Sequence, residues 1–327
     1  MTAPTPGHDA TDAPAYRSPL LDRPGAVPAD PPDAGVAAHY GDPLREQRLL
    51  EQGEAVVDLS HRGVVRVTGP DRLSWLHSLT SQHLTGLPAG ESTQALVLDP
   101  HGHVEHHLSL VDDGTSVWAH VEPGTAPALV AYLESMKFWT QVEVADVTAD
   151  HAVVHEPVRE PHPEHVAVVD AVGRAVLVPR AELVAYAGDR PLAGTWALEA
   201  LRIVAHQPRF GLETDHRTIP HELGWIGPAV HLDKGCYRGQ ETVARVHNLG
   251  RPPRRLVLLH LDGSVDVLPP HGAPVELDGR AVGTVTSSAR HHELGPVALA
   301  VVKRSTPTDA ALLAGGVAAA QEVVVPA

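Results

Sequence analysis

From about residue 42 to residue 250, apolar positions recur either every second residue or every third to fourth residue. The first spacing is typical of strands and the second of helices. Helices are predicted near residues 44–50, 71–79, 125–136, 180–186 and 195–205, and strands over residues 55–59, 64–68, 93–98, 104–111, 116–121, 141–147, 152–155, 166–170 and 175–178. The order of the two types is irregular and shows no internal repeat. This pattern favours an α+β fold with helices packed on mostly antiparallel sheets.

The pattern changes after Gly250, where apolar residues alternate only in short runs separated by turn residues. Strands are predicted over residues 255–261, 274–277, 280–287 and 297–302. Asp278-Gly279 between two of them is a strong hairpin signal. We therefore expect a small C-terminal β-barrel or sandwich over residues 251–327.

Residues 1–40 show no hydrophobic periodicity. Prolines recur from Pro4 to Pro32 among Asp, Ala, Thr and Gly, which is typical of a disordered tail. Acidic residues throughout the segment argue against an organellar presequence, and no apolar core of a secretory signal is present. We expect residues 1–40 to be disordered and to contribute little to stability.

Composition narrows the classes of function. The formal net charge is −15 and the chain has no run of Lys and Arg, so we expect no direct nucleic-acid binding. No apolar run approaches the roughly 20 residues that span a bilayer, so we expect no membrane association. The single cysteine fits a reducing cytoplasm and cannot hold an iron–sulfur cluster unaided. A cytoplasmic monomer is expected.

A long polar stretch, residues 206–233, leads to the segment Lys234-Gly235-Cys236-Tyr237-Arg238-Gly239-Gln240-Glu241. Loops of this length in a compact domain are usually functional. Two glycines bracket the only cysteine, and a short helix is predicted to follow over residues 240–250. The neighbouring cations and the helix N-terminus favour the thiolate of Cys236 over the thiol. The alternative is a small buried hydrophobic residue, the usual environment of a free cysteine.

This eight-residue segment resembles the signature of the YgfZ branch of the YgfZ/GcvT family, folate-binding proteins linked to iron–sulfur cluster assembly and repair. The resemblance extends from about Asp42 to the C-terminus and includes Arg202 and the motif Arg72-x-x-Trp75-Leu76. It implies the fold of the glycine-cleavage T-protein: two α/β lobes over residues 41–250 and a C-terminal β-barrel over residues 251–327, around a central folate-binding hole.

The chain departs from the glycine-cleavage enzyme at two places. His106 and His107 fall near the positions of an acidic pair that supports catalysis in that enzyme. Val204 replaces a glutamate that grips the pterin, and a valine cannot accept hydrogen bonds from the ring. These departures argue against aminomethyl transfer more strongly than they argue against folate binding.

The resemblance therefore implies a folate-binding accessory protein for iron–sulfur cluster assembly or repair, with tetrahydrofolate or a derivative as ligand and iron–sulfur proteins or their assembly machinery as partners. Cys236 is the candidate reactive residue. The candidate folate contacts are Lys234, Tyr237, Arg238, Gln240 and Arg202, with Lys234 and Arg238 expected at the glutamate tail. The alternative is a tetrahydrofolate-dependent aminomethyltransferase or demethylase, and a third possibility is indirect support of tRNA modification through iron–sulfur enzymes.

Histidines are frequent in this chain, and several lie close together near residues 101–107 and 151–165. On the strand at residues 104–111, His106 shares a face with Val104 and Leu108 and is expected to point inward. Clustered histidines can bind zinc, but neither group has the context of a zinc site. We expect satisfied core histidines and no metal. Trp225 and Trp139 could stack on a folate ring, although core packing is the commoner role.

Overall fold

The computed structural model describes residues 16–326, and its elements are numbered in chain order. The α-helices are α1 Pro43–Glu51, α2 Arg72–Leu79, α3 Ala126–Ser135, α4 Leu183–Ala187, α5 Thr195–Val204 and α6 Gln240–Leu249. The strands are β1 Val27–Pro28, β2 Ala37–His39, β3 Val56–Asp58, β4 Gly63–Thr68, β5 Ser92–Leu98, β6 Val104–Asp112, β7 Ser116–Val121, β8 Glu143–Asp146, β9 His151–Glu156, β10 Ala167–Val169, β11 Arg174–Pro179, β12 Leu192–Ala193, β13 Arg254–Leu261, β14 Pro274–Leu277, β15 Arg280–His291, β16 Gly295–Lys303, β17 Ala311–Ala314 and β18 Val317–Val323. No helix among these residues is long and apolar enough to cross a bilayer.

Lobe 1 is the contiguous segment of residues 63–147. Its five-stranded sheet has the order β5-β6-β7-β4-β8 with antiparallel neighbours. Helices α2 and α3 cover one face through an apolar cluster that includes Leu76, Leu108 and Leu129. The apolar residues of α2 and α3 recur every third or fourth position and those of β6 every second position, as expected for one face of a helix and one face of a strand.

Lobe 2 is built from two separate parts of the chain. Its sheet has the order β10-β11-β9-β3-β12, in which β3 precedes lobe 1 and the other four strands follow it. Only the short pair β12–β3 is parallel. The two lobes share an apolar cluster to which lobe 1 contributes Val64 and Val111 and lobe 2 contributes Val153 and Leu177. The lobes are therefore packed against each other rather than merely linked.

The C-terminal part forms a closed six-stranded barrel of order β13-β16-β15-β14-β17-β18. Val257 and Leu259 of β13 point into the barrel, while Leu256 and Leu258 pack outward against the loop that follows α5. Both faces of β13 are thus buried, and the barrel is joined to the lobes. The predicted α+β fold, with two lobes and a C-terminal barrel, is confirmed.

The N-terminal segment differs from its prediction. Residues 16–40 are folded: a 3-10 helix at Pro19–Asp22 buries Leu20, β1 pairs with β2, and Asp33 is 8% exposed. Ser18 donates a hydrogen bond to Asp58 of lobe 2. The expectation of a disordered tail is therefore wrong for residues 16–40. Contacts with residues distant in sequence order this segment, although it lacks a periodic pattern of apolar residues. Residues 1–15 lie outside the described residues.

Candidate functional site

A cavity of about 300 Å³ lies between the two lobes and the loop that follows α5. Its floor is the face of the lobe 1 sheet opposite α2 and α3. Gln94, His107, Ser109 and His120 project from this face, since Ser109 pairs with both Gln94 and His120 across the strands. A buried sheet face is normally apolar, so a polar one beneath a cavity indicates a binding surface.

The other walls come from lobe 2, from α5 and from residues 205–228. Lobe 2 contributes His155 and Asp170, and α5 contributes Glu199 and Arg202. Trp225 is 2% exposed, and its ring stacks on that of His107 with centroids 4.9 Å apart and planes 22° apart. Together they form an aromatic stack on the cavity wall, in which the ring of His107 covers that of Trp225.

Three histidines on the cavity are held in the neutral form. Burial lowers the pKa of His107 to about 4 and that of His120 to about 3, and it also lowers the pKa of His155. His107 Nε2 lies 3.0 Å from Gln94 Oε1. Neither ring nitrogen of His120 has a hydrogen-bond partner among the described residues. A buried, unpaired imidazole on a cavity wall is a group that a bound ligand or water would satisfy.

Buried ion pairs fix the cavity's rear wall. Arg209 is 6% exposed in its side chain and bridges three carboxylates: Asp33 at 2.8 Å, Glu122 at 2.7 Å and Glu199 at 2.7 Å. The two bonds from Arg209 to Asp33 form a fork, with Nη1–Oδ2 at 3.0 Å and Nη2–Oδ1 at 2.8 Å. The N-terminal segment, lobe 1 and α5 therefore meet at one guanidinium.

Arg202 also lies on the cavity, but its donors are occupied. It donates to Glu199 at 2.9 and 2.6 Å, to Glu213 at 3.1 Å and to Ser287 of the barrel. Arg62 is different: its Nη2 is 3.4 Å from Glu122, and its Nε has no partner among residues 16–326. Arg62 is thus the cavity cation with the most capacity left for an anionic ligand.

The eight-residue cysteine segment forms the expected loop and helix start, and Cys236 is exposed. Lys234 is only 5% exposed, and its ammonium donates to the carbonyl oxygens of His77 and Thr80 at the C-terminal end of α2. It also lies 4.9 Å from the centre of the Tyr237 ring, and burial lowers its pKa to about 8. The side chain of Lys234 therefore binds the loop to lobe 1.

The remaining predicted contacts also have partners within the protein. Tyr237 is 8% exposed and belongs to the same apolar cluster as Trp225. Arg238 donates to Glu105 of β6 at 2.9 Å, with both side chains partly exposed. Gln240 donates to the carbonyl oxygen of Lys234 at 3.4 Å. Of the described residues that line the cavity, Arg202 alone comes from the predicted set.

Two glycines explain how closely the cysteine loop approaches lobe 1. Gly239 has φ +82°, and a Cβ atom there would lie 2.5 Å from the carbonyl oxygen of Asp99 and 3.0 Å from Cα of Gly102. A Cβ atom on Gly102 would in turn lie 2.9 Å from Thr242 of α6. Any larger residue at either place would push the loop away from the turn that precedes β6.

Sequence reasoning missed the principal cavity residues. It placed His106 inward, and His106 does lie on the helix-covered face, near Tyr132 of α3. The cavity instead takes His107 from the opposite face, because both faces of this sheet are covered. Trp225 lies in the core cluster and also on the cavity, whereas Trp139 is 99% exposed. A useful signal was present: polar residues recur at every second position from His107 to Ser109 and from His120 to Glu122.

Comparison with known proteins agrees with this architecture. Residues 254–326 match the family model of the glycine cleavage T-protein C-terminal barrel domain. The crystal structure of the glycine cleavage system aminomethyltransferase T from Bartonella henselae superimposes with a TM-score of 0.79, covering 94% of this chain and 95% of that one at 20% identity. That likeness shows the fold.

The sequence relatives fall into two functional groups. A protein of Arabidopsis thaliana described as a chloroplastic transferase is 24% identical over 77% of this chain and 66% of its own length. A mitochondrial iron–sulfur cluster assembly factor homologue of Mycosarcoma maydis is 25% identical over 73% of this chain and 68% of its own length. An aminomethyltransferase of a Nostoc species is 26% identical over 79% of each chain. The chain is therefore similar in fold to the glycine cleavage T-protein, and similar in sequence to proteins of both descriptions.

Proposed function

We propose that this protein binds a folate in the cavity between its lobes and supports iron–sulfur cluster assembly or repair through Cys236. The observation that carries the proposal is the pairing of a polar, aromatic-walled cavity with a lone exposed thiol on an immobilised loop. The relative described as an iron–sulfur cluster assembly factor supports the role, and the aminomethyltransferase relatives support the ligand class.

The residues present fit a tetrahydrofolate. The aminopyrimidinone ring of its pterin is flat and carries hydrogen-bond donors and acceptors along its edge. Trp225 and His107 offer a stacking surface, and His120 offers unpaired ring nitrogens beside it. Arg62 is the cation that we assign to an anionic group of the ligand, in place of the tail contact with Lys234 that the sequence suggested.

The ligand assignment is tested by calorimetric titration with a reduced folate. Arg62→Met should weaken binding by about 1.5 kcal/mol or more, the value of a hydrogen bond to a charged group. Trp225→Ala should also weaken it, because the stacking wall is lost. Arg238→Met is the matched control, since Arg238 is paired with Glu105 outside the cavity lining. A loss of affinity in Arg238→Met with none in Arg62→Met would move the ligand to the cysteine loop.

The role of the thiol needs a separate assay. Cells lacking this protein should show reduced activity of iron–sulfur enzymes after oxidative stress, and the wild-type gene should restore it. Cys236→Ala should fail to restore activity while keeping normal folate affinity and thermal stability, because Cys236 is exposed and does not line the cavity. Full rescue by Cys236→Ala would exclude a chemical role for the thiol.

A cytoplasmic location is proposed with this function, since a free thiol suits a reducing compartment.

Aminomethyl transfer is the second candidate, and the shared fold favours it. By resemblance, His106 and His107 fall near the positions of the enzyme's acidic pair. Burial keeps His107 neutral, with a pKa of about 4, so it cannot replace a carboxylate that stabilises a cationic intermediate. We therefore expect no tetrahydrofolate-dependent release of ammonia from an aminomethyl donor. Turnover that is abolished by His107→Ala would favour the transferase instead.

A further inference from the structure

Glu51, His291 and His292 form a group of metal-binding side chains at the junction of lobe 2 and the barrel. Glu51 is the last residue of α1, and the two histidines lie where β15 turns into β16. One candidate ligand atom from each residue lies within 4.8 Å of those of the other two. In the part of the chain that the structure describes, it is the one such trio of His, Cys, Asp or Glu.

The hairpin turn is held in place by α1. Gln47 donates through Nε2 to the carbonyl oxygen of Arg290 at 2.8 Å and accepts from the backbone N–H of His292 at 2.9 Å. This pair of bonds fixes the backbone of residues 290–292 against the helix. The rings of His291 and His292 consequently lie side by side, with centroids 4.7 Å apart. Ligands on two rigid elements are positioned before any ion binds.

His292 carries the strongest indication of a ligand. Its side chain is 6% exposed, and its Nε2 lies 2.6 Å from Oε2 of Glu51. The contact is close but not aligned as a hydrogen bond, so Nε2 has no hydrogen-bond partner among residues 16–326. Two potential metal ligands whose lone pairs are not directed at each other can both direct them at a metal ion beside them. Glu51 is 43% exposed in its side chain, which leaves that point open to solvent on one side.

We propose that Glu51, His291 and His292 bind Zn²⁺, with water at the fourth position. Two imidazoles and one carboxylate are a ligand set that zinc accepts, with bonds of about 2.0–2.2 Å. Tetrahedral ligand atoms then lie about 3.3 Å apart, so Oε2 of Glu51 must move away from Nε2 of His292, which is 2.6 Å from it. The exposed carboxylate can make that adjustment.

Binding has an identifiable cost within the protein. Nδ1 of His291 accepts two long hydrogen bonds, from the backbone N–H groups of Glu293 and Leu294, both at 3.2 Å. Coordination through Nδ1 uses the lone pair that accepts these bonds, and coordination through Nε2 places the ring proton on Nδ1, so both bonds are lost in either case and the bond to the metal must outweigh them. The ion would then link α1 to the barrel, so its binding should raise the midpoint of thermal unfolding.

The test uses full-length, tag-free protein in a Cys236→Ser background, which removes the exposed thiol as a competing ligand. Zn²⁺ binding is measured by equilibrium dialysis, and Co²⁺ is added as a spectroscopic probe of coordination. We expect one bound ion per chain, a visible Co²⁺ absorption band and a higher melting midpoint. Glu51→Gln and His291→Ala should each weaken binding about tenfold or more. His216→Ala, an exposed histidine far along the chain from the trio, is the matched control and should bind normally.

Two results would overturn the proposal. One is failure of the parent protein to retain Zn²⁺ under these conditions. The other is retention of the same affinity and Co²⁺ spectrum by Glu51→Gln and His291→Ala. Glu51 is exposed and its isosteric replacement leaves the fold intact, so that variant gives a clear answer even if His291→Ala fails to fold.

Discussion

Replacing Asp33 with alanine should destabilise the whole protein, although Asp33 lies in a segment whose sequence suggests disorder. Asp33 is 8% exposed and receives the forked pair of bonds from Arg209 and a 2.9 Å contact from Nε2 of His61. Burial by itself would raise the pKa of Asp33. The hydrogen bonds from His61 and Arg209 outweigh that effect and hold the pKa well below its ordinary value.

The magnitude follows from what Asp33→Ala leaves behind. Removing one partner of a buried ion pair typically costs about 3–5 kcal/mol, because the other charge stays buried and unpaired. Arg209 keeps Glu122 and Glu199, so the lower end, about 3 kcal/mol, applies here. Proteins are stable by roughly 5–15 kcal/mol, so this is a substantial fraction of the total. With an unfolding entropy of roughly 2.1 cal/mol/K per residue, the melting midpoint of a chain of this length should fall by roughly 4 °C.

Thermal melts at pH 7 followed by circular dichroism measure the effect. Asp22→Ala is the matched control, because it removes the Arg17–Asp22 pair, whose side chains are 58% and 71% exposed. Exposed pairs contribute at most about 1 kcal/mol. Because the pKa of Asp33 is lowered on folding, its contribution is fully present above the ordinary carboxylate pKa, declines as the pH falls below that value, and is lost only when the pH falls through the lowered folded-state pKa. The difference between the two proteins should therefore narrow in acid. An Asp33→Ala midpoint within the range of the Asp22→Ala control would refute this reasoning.

Three further outcomes are expected. Lys234→Met should lower stability by about 1–3 kcal/mol by leaving the carbonyls at the end of α2 unpaired, as urea unfolding will show. Burial lowers the pKa of Lys234 from 10.5 to about 8, so between these pH values the unfolded chain binds more protons than the folded one. The free energy of unfolding of the wild type should therefore rise as the pH increases from about 8 to 10.5, and Lys234→Met should lack that rise. Gly239→Ala should cost more than Gly90→Ala, because both glycines have positive φ but only Gly239 would clash with Asp99; equal midpoints would contradict the proposed close contact. A chain that begins at His39 should melt well below full-length protein, since it loses both Asp33 and buried Leu20, and an unchanged midpoint would show that the segment is dispensable.

Much of the fold was predictable because its elements follow local rules. Asp42 accepts from the backbone N–H of Arg45 and caps α1, as its position before Pro43 predicts. The alternating residues of β13, β15 and β16 predicted the barrel. Strands β17 and β18 were missed because they are rich in alanine, which has little intrinsic preference for strands. Their strand structure depends on pairing with neighbouring strands of the barrel.

The site was less predictable, because its residues are defined by long-range contacts. A lysine and an arginine beside a cysteine suggest an anion site by proximity in sequence alone. The structure instead directs Lys234 to the end of α2 and Arg238 to Glu105. The cavity residues Arg62, His120 and Trp225 are far apart in the chain, and no local pattern links them. The order of residues 16–40 likewise depends on Arg209, which lies 176 positions after Asp33.

The split construction of lobe 2 has a consequence for biosynthesis. Lobe 1 is one unbroken stretch of chain, so all five of its strands are available once Asp146 has left the ribosome. Strand β3 is made earlier, yet its sheet partners β9 and β12 are made only afterwards. The nascent chain must therefore carry β3 unpaired while lobe 1 folds behind it, since domains fold as units during synthesis. Lobe 1 is therefore completed before lobe 2, although the first strand of lobe 2 is synthesised before any strand of lobe 1.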